Sequence, residues 1–278
     1  MTSSAPGSDR PVKVMGVVNV TPDSFSDGGR YLDAAAALAH GLRLIEEGAD
    51  ILDVGGESTR PGAEPVGEAQ EIERTAPLIE ALRARSMVPI SIDTLKPAVA
   101  RAAMAAGATI WNDVTALQGA PESLATAAGL GCEVVLMHMQ GEPRTMQAAP
   151  SYGDVTAEVC AALSARAQAA MAAGVARERI WLDPGIGFGK HMLRHNLPLL
   201  AHLDQVVALG FPVLLGVSRK SFIGALDPGA KAGTDRLGGS LAAALKGVAA
   251  GVAALRVHDV RETVQALKVW AAIDRAGG

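Results

Sequence analysis

Along the chain, short runs of β-branched and other apolar residues alternate with longer segments rich in Ala, Leu, Glu and Arg, at fairly even spacing. The short runs, bounded by turn residues, predict strands over 12–19, 50–55, 88–93, 109–113, 133–138, 180–183, 213–217 and 254–258. The longer segments predict helices, among them 33–47, 68–85, 97–106, 155–173 and 237–250, built from strong helix formers. Several stop at a glycine, at Gly48, Gly107 and Gly174, with the next strand close behind. Glycine is the usual residue where a helix ends in the left-handed conformation. Eight βα units follow, and with them two architectures: a closed (β/α)8 TIM barrel or a doubly wound open sheet.

Two features favour the barrel. No G-x-G-x-x-G follows the first candidate strand, and polar residues stand at the ends of nearly all strands instead of at one switch point. The segments after strands one, two, five and six are long and rich in Gly, Pro, Ser and Asp, whereas the junctions leading from helix to strand are terse. Elaboration is therefore expected on one face, the C-terminal ends of the strands. Residues 1–11, small and polar without an apolar stretch, are expected to be a flexible tail and not a signal peptide, leaving 12–278 as one barrel domain.

Composition narrows the picture. The 278 residues are 49% hydrophobic but only 3% aromatic, so Ala, Val, Leu and Ile must fill the core, as suits strands covered on both faces. A net charge of −4 with scattered basic residues gives no footprint for nucleic acid or an acidic membrane surface. The apolar stretch 241–255 contains Lys246 and is too weakly hydrophobic to span a bilayer. Two cysteines, Cys132 and Cys160, lack both metal-ligand spacing and the density of a disulfide scaffold, which points to a reducing cytoplasm.

The candidate chemistry lies at the strand ends: Asn19, Asp53 with Glu57, Asp93, Asn112 with Asp113, His138, Asp183, Ser218 with Lys220, and Arg256 with His258. An unpaired carboxylate in an apolar barrel mouth costs several kcal/mol, so these groups need partners or a ligand. For Asp53, Asp113 and His138 the plainer expectation is that residues of this set only pair with one another to satisfy the top of the core. For Asp93, Asp183, Lys220 and Arg256 the adjoining loops have the composition of ligand-handling segments. Loop 19–29 carries Phe25 among polar residues and two glycines, either a lid or an anchor, and Asn19 offers an amide oxygen suited to Mg²⁺ beside a phosphate. Loop 55–62 combines hydroxyls, a guanidinium and glycines that let backbone approach an anion, though such turns also occur as plain surface loops.

In 183–190 a carboxylate is followed by three alternating glycines and Phe188. Asp183 can accept two parallel hydrogen bonds from a flat heterocycle while Phe188 forms a wall. Ser218 to Ser221 reads as an anion or carboxylate site at a helix start, or as a simple cap. Arg256 and His258 share a strand face and suit a diphosphate, or pairing with carboxylates at the top of the barrel.

The motifs NVTPDSFSD (19–27), DVGGESTRPG (53–62), SIDT (91–94), MHMQG (137–141), DPG (183–185), GFGK (187–190), SRKS (218–221) and RVHD (256–259) together resemble the dihydropteroate synthase family, in family order over nearly the whole chain. Glu142 and Ser151 depart from the family's commoner residues without touching a mapped position. The resemblance implies condensation of 6-hydroxymethyl-7,8-dihydropterin diphosphate with 4-aminobenzoate to 7,8-dihydropteroate and diphosphate. It implies that Asp93, Asn112, Asp183 and Lys220 hold the pterin and that Asn19 binds Mg²⁺. Thr59, Arg60, Arg256 and His258 would engage the diphosphate or its loop. Phe25, Ser58, Pro61, Gly187, Phe188, Lys220 and Ser221 would form the aminobenzoate pocket, where sulfonamides would compete.

Asp93, Lys220 and Arg256 would stand nearest the chemistry. Replacing Lys220 or Arg256 by alanine is expected to remove most activity and keep the fold. A homodimer through barrel helices is also implied. A pterin-binding methyltransferase on the same barrel would not need the phosphate features, and a noncatalytic relative would not need the set intact.

Overall fold

Eight strands form where the apolar runs predict them: β1 (Lys13–Asn19), β2 (Ile51–Gly55), β3 (Ile90–Asp93), β4 (Ile110–Asp113), β5 (Glu133–Met137), β6 (Ile180–Asp183), β7 (Leu214–Leu215) and β8 (Ala254–Val257). The computed structural model describes residues 12–20, 30–58, 64–142 and 145–277, with the side chains of 30–33 left aside. The expected tail and the candidate residues Phe25, Thr59, Arg60 and Pro61 lie outside the described residues. The strands are followed by α1 (Arg30–Glu46), α2 (Glu68–Arg83), α3 (Pro97–Ala105), α4 (Ser123–Leu130), α5 (Val155–Ala172), α6 (Asn196–Ala201), α7 (Leu203–Val207), α8 (Ser221–Leu226), α9 (Leu237–Ala250) and α10 (Val260–Gly277).

All strand pairs are parallel, in the order β6-β5-β4-β3-β2-β1-β8-β7. A parallel bridge between Leu182 and Val213 joins the two outer strands. The sheet therefore closes on itself, which excludes the open doubly wound arrangement and gives a (β/α)8 barrel in a single domain. The three junction glycines Gly48, Gly107 and Gly174 take φ of +102°, +109° and +106°, so each helix can turn back toward the sheet; the next strand begins three residues after Gly48 and Gly107, and after a short 3-10 turn following Gly174.

Strand alternation then positions the site. Met15, Ile51, Ile110, Val135, Trp181, Leu214 and Ala254 pack together inside the barrel, as a cluster separate from the apolar layer between strands and helices. Two residues further along, side chains return to the same inner face. Ile51 is thus followed by Asp53, Ile110 by Asn112, Trp181 by Asp183, Leu214 by Gly216 and Ala254 by Arg256. An apolar plug sits beneath a polar layer. Among the described residues, no helix is long and apolar enough to cross a membrane.

Candidate active site

Arg256 reaches from β8 across the barrel to two carboxylates. Its Nε donates to Asp53 Oδ2 at 2.6 Å and its Nη2 to Asp93 Oδ2 at 2.8 Å. Asn112 Nδ2 adds a second donor to Asp53 Oδ2 at 3.3 Å. Asp53 is fully buried, and the second oxygens of both aspartates, Asp53 Oδ1 and Asp93 Oδ1, have no hydrogen-bond partner among the described residues. Burial pushes the Asp93 carboxyl up to about 7 against the pull of Arg256, helped by the charges of Asp53, Glu71 and Asp113. Arg256 is held above its ordinary value, since the two aspartates and Asp183 outweigh its own desolvation. The two directions agree physically: the layer holds three carboxylates against Arg256 and Lys220, so the cation is secure and a carboxylate carries the excess charge. Of the two readings open for Arg256, pairing with carboxylates is the one seen.

Asp183 faces this pair from β6. Its Oδ1 accepts from Gly185 N at 2.7 Å. Its Oδ2 looks over Gly216, where an added methyl group would lie 4.0 Å from it and from Arg256 Cβ. Burial raises the Asp183 pKa, opposed by the Gly185 N–H and by Lys220, Arg256 and Lys190. Gly216 and Gly55 are inward positions without side chains, and they leave room above the polar layer. A methyl on Gly55 would lie 3.6 Å from Asn19 Oδ1 and 3.9 Å from Asp93 Oδ2, so the amide and the carboxylate look onto one spot.

Lys220 closes the other side. Its Nζ lies 4.2 Å from the Phe188 ring centroid, in cation–π range, and its stem packs along the Gly187 backbone. Burial, with Arg256 assisting, lowers its pKa to about 8, although Asp183 and Asp93 act in the opposite sense. Ser221 is exposed at the start of α8, next to Lys220. His258 parts from Arg256: its backbone N–H and Nδ1 meet Ser218 Oγ at 3.2 and 3.0 Å. Arg219 takes a left-handed φ of +58° and grips Asp259 through Nε at 3.0 Å and Nη2 at 2.5 Å, which fixes the β7 and β8 loops to each other.

Asp113 and His138 serve as structure. Asp113 accepts from Thr115 N and Oγ1, both at 2.7 Å, and from Leu117 N at 3.0 Å. That brace holds Ala116 and Leu117 at left-handed φ of 52° and 61°, where non-glycine residues are strained. Two lysines escape a sequence reading, Lys96 half-buried and Lys190 fully buried. Lys96 bridges Glu57 and Glu71, tying the base of loop 55–62 to α2, and Lys190 is 1% exposed. Glu71 was the available signal, because it heads the row Glu71, Thr75, Leu78, Ile79, Leu82 that α2 turns inward.

Known proteins share this chain's fold and much of its sequence. A family model described as pterin binding enzyme matches residues 15–258. The chain is 52% identical over 274 residues to the dihydropteroate synthase of Neisseria meningitidis serogroup B, covering 96% of this chain and 94% of that one. It superposes on a Xanthomonas albilineans dihydropteroate synthase solved with 4-aminobenzoic acid at a TM-score of 0.89 and 52% identity, covering 95% and 93%. A structure of the enzyme from that organism in complex with 7,8-dihydropteroate gives 0.86 and 50%, covering 95% and 94%.

Proposed function

The chain belongs to the dihydropteroate synthase family of pterin-binding enzymes, and from that premise we propose how its barrel mouth divides the work. It is a transferase that condenses 6-hydroxymethyl-7,8-dihydropterin diphosphate with 4-aminobenzoate to give 7,8-dihydropteroate and diphosphate. The observation that carries the division is the placement of Lys220, with Asp183 on one side and the Phe188 ring 4.2 Å away on the other. A flat heterocycle bound edge-on at Asp183 would then meet an aromatic amine seated against Phe188. A methyltransferase reading finds no support in relatives that carry the synthase name at about half identity.

Asp183, Asn112 and Asp93 hold the pterin. Asp183 offers Oδ2 to a ring N–H and exocyclic amine, because its Oδ1 is engaged by Gly185. Gly187, Phe188, Lys220 and Ser221, with Ser58, Phe25 and Pro61, seat the aminobenzoate. The family resemblance gives Thr59 and Arg60, with His258, to the diphosphate, and Arg256 adds its charge from below. In the reaction the CH₂–O bond breaks and its electron pair leaves with the diphosphate. The amine lone pair forms the new C–N bond, and the amine proton passes to water. Positive character on the pterin methylene is balanced by Asp93, the carboxylate already short of donors. Aminobenzoate needs positioning more than deprotonation, since its amine is neutral near pH 7.

Asn19 fits a Mg²⁺ that keeps several waters and is carried largely by diphosphate oxygens. A single amide oxygen beside Asp93 is a modest protein ligand set, and no cluster of three or more metal-ligating side chains occurs among the described residues. Bound there, the ion would neutralise charge on the leaving diphosphate. Purified protein supplied with both substrates and Mg²⁺ is expected to form dihydropteroate, to stop on addition of EDTA, and to resume with excess Mg²⁺. No dihydropteroate under any of these conditions would remove the reading, and unchanged turnover in EDTA would remove the metal.

A homodimer is supported by the apolar groove of about 570 Å³ between α6, α8 and α9, lined by Leu197, Leu200, Phe222, Ile223, Ala242 and Ala243. Ala243→Arg is expected to shift sedimentation equilibrium from dimer to monomer; a wild-type monomer would refute the dimer. Cytoplasmic residence is supported by the free thiols Cys132 and Cys160.

A further inference from the structure

We propose that Lys190 is a positioning residue for the aminobenzoate wall, its buried ammonium group holding loop 185–189 in the shape that sets Phe188 and Gly187 against Lys220. The inference rests on the reading of Phe188 as that wall. Lysine is almost never fully buried unless its charge is met, yet Lys190 is 1% exposed. Its Nζ lies 2.9 Å from His138 Nδ1, 3.0 Å from the carbonyl oxygens of Gly185 and Phe188, and 3.2 Å from that of His138. Burial lowers the Lys190 pKa to about 7, with Asp183 acting in the opposite sense, so below that pH Nζ is an ammonium group whose three protons these four acceptors saturate. Toward such a donor Nδ1 acts as acceptor, which places the His138 ring proton on Nε2. Burial and the Lys190 charge push the His138 pKa down to about 3, which keeps the ring neutral.

The loop has little shape of its own. Gly185, Gly187 and Gly189 take φ of +65°, +85° and +57°, a region glycine enters freely in many conformations. Within the loop, one backbone hydrogen bond runs from Phe188 N to Gly185 O at 3.0 Å. The remaining restraints come from side chains: Asp183 Oδ1 accepting from Gly185 N at 2.7 Å, Gln147 Nε2 to Gly187 O at 2.6 Å, Tyr152 OH to Gly189 O at 2.8 Å, and Asn196 Oδ1 accepting from Gly187 N at 2.8 Å. Lys190 alone among these grips the carbonyls at two loop positions, Gly185 and Phe188, and ties them to the end of β5. Arg256, Asp53 and Asp93, on β8, β2 and β3, share no hydrogen bond or ion pair with it. Loss of Lys190 should therefore loosen the seat of one substrate more than the chemistry.

The test compares Lys190→Met, His138→Leu, His138→Asn and Phe188→Ala in steady-state condensation assays, with KM read separately for each substrate. Lys190→Met, close in length and without donors, is expected to raise KM for 4-aminobenzoate about tenfold, with kcat and the pterin KM moving much less. His138→Leu removes one acceptor and should raise the same KM, whereas His138→Asn, which keeps an acceptor near the Nδ1 position, should restore it. This pair carries the test should Lys190→Met fail to fold. If Phe188→Ala raises KM for 4-aminobenzoate but Lys190→Met and His138→Leu leave it unchanged, or raise both KM values alike, the positioning role is lost and the wall reading stands. Should Phe188→Ala leave that KM unchanged, the wall reading falls and takes the Lys190 role with it.

Discussion

Replacement of Arg256 by methionine is expected to cost the protein both its turnover and a large share of its stability. The guanidinium is the shared partner of Asp53 and Asp93, at 2.6 and 2.8 Å, and Asp53 has no exposure to water. Removing it strands two carboxylates in the barrel, a change that typically costs about 3–5 kcal/mol. Loss of the charge beneath the leaving group should lower kcat/KM by about a thousandfold. Position at a strand end, taken alone, argues that the fold survives such a change untouched; the contacts argue otherwise. The pH dependence has a definite sign. Asp93 holds its proton to about 7 in the folded chain, whereas an aspartate in the unfolded chain loses it near about 3.9. Between those values the folded state binds the extra proton, so this group's contribution to stability falls as pH rises. Without Arg256 the fall should steepen and extend above pH 7. Denaturant unfolding at pH 5 and pH 8 would show it, and Asp53→Asn in the Arg256→Met background should recover stability without recovering activity. A midpoint equal to wild type at both pH values would exclude Arg256 as the keystone of the polar layer.

The barrel was legible because its signals are local. Apolar runs of four to eight residues between turn residues marked the strands, and glycines at 48, 107 and 174 marked the helix stops. Expected and observed helices agree to within a few residues, as at 155–173 against Val155–Ala172. β7 is shorter than its apolar run predicts, at Leu214–Leu215 only. Gly216 follows it, and the next residues turn away to carry Ser218 and Lys220 into the mouth. The identities of the polar layer were legible too, since period-two alternation places Asp53, Asn112, Asp183 and Arg256 above the plug. Their partnerships were not. Arg256 and Asp53 are 203 residues apart, and nothing local says that the arginine meets carboxylates while His258, two residues on, turns to Ser218. Two lysines were missed for a related reason: composition assigns lysine to the surface, and only the closed fold shows the buried Lys190 and the half-buried Lys96 surrounded by acceptors.

Lys220 should set the alkaline limit of activity. Its amine stands in a half-buried place beside Arg256, and its pKa is lowered to about 8. Protonated, it can donate to the pterin while its charge rests on the Phe188 ring; neutral, it loses both the charge and the cation–π contact. The carboxylate of Asp93, which must be ionised to balance the pterin methylene, titrates near about 7. For the free enzyme, kcat/KM is therefore expected to rise through about pH 7 and fall through about pH 8, a narrow bell. Lys220→Arg should keep the acid limb and lose the alkaline one, at reduced kcat. Lys220→Met should retain the fold, because the stem packing on Gly187 is preserved, and lose about a hundredfold or more in kcat/KM. The alkaline fall cannot be unfolding driven by this lysine. Its folded pKa lies below the unfolded value of about 10.4, so the unfolded chain binds more protons across that window and the group's contribution to stability rises with pH. Activity and stability should thus diverge above pH 8, the first falling while melting temperature holds or climbs. An alkaline limb that persists unchanged in Lys220→Arg would assign the limit to another group.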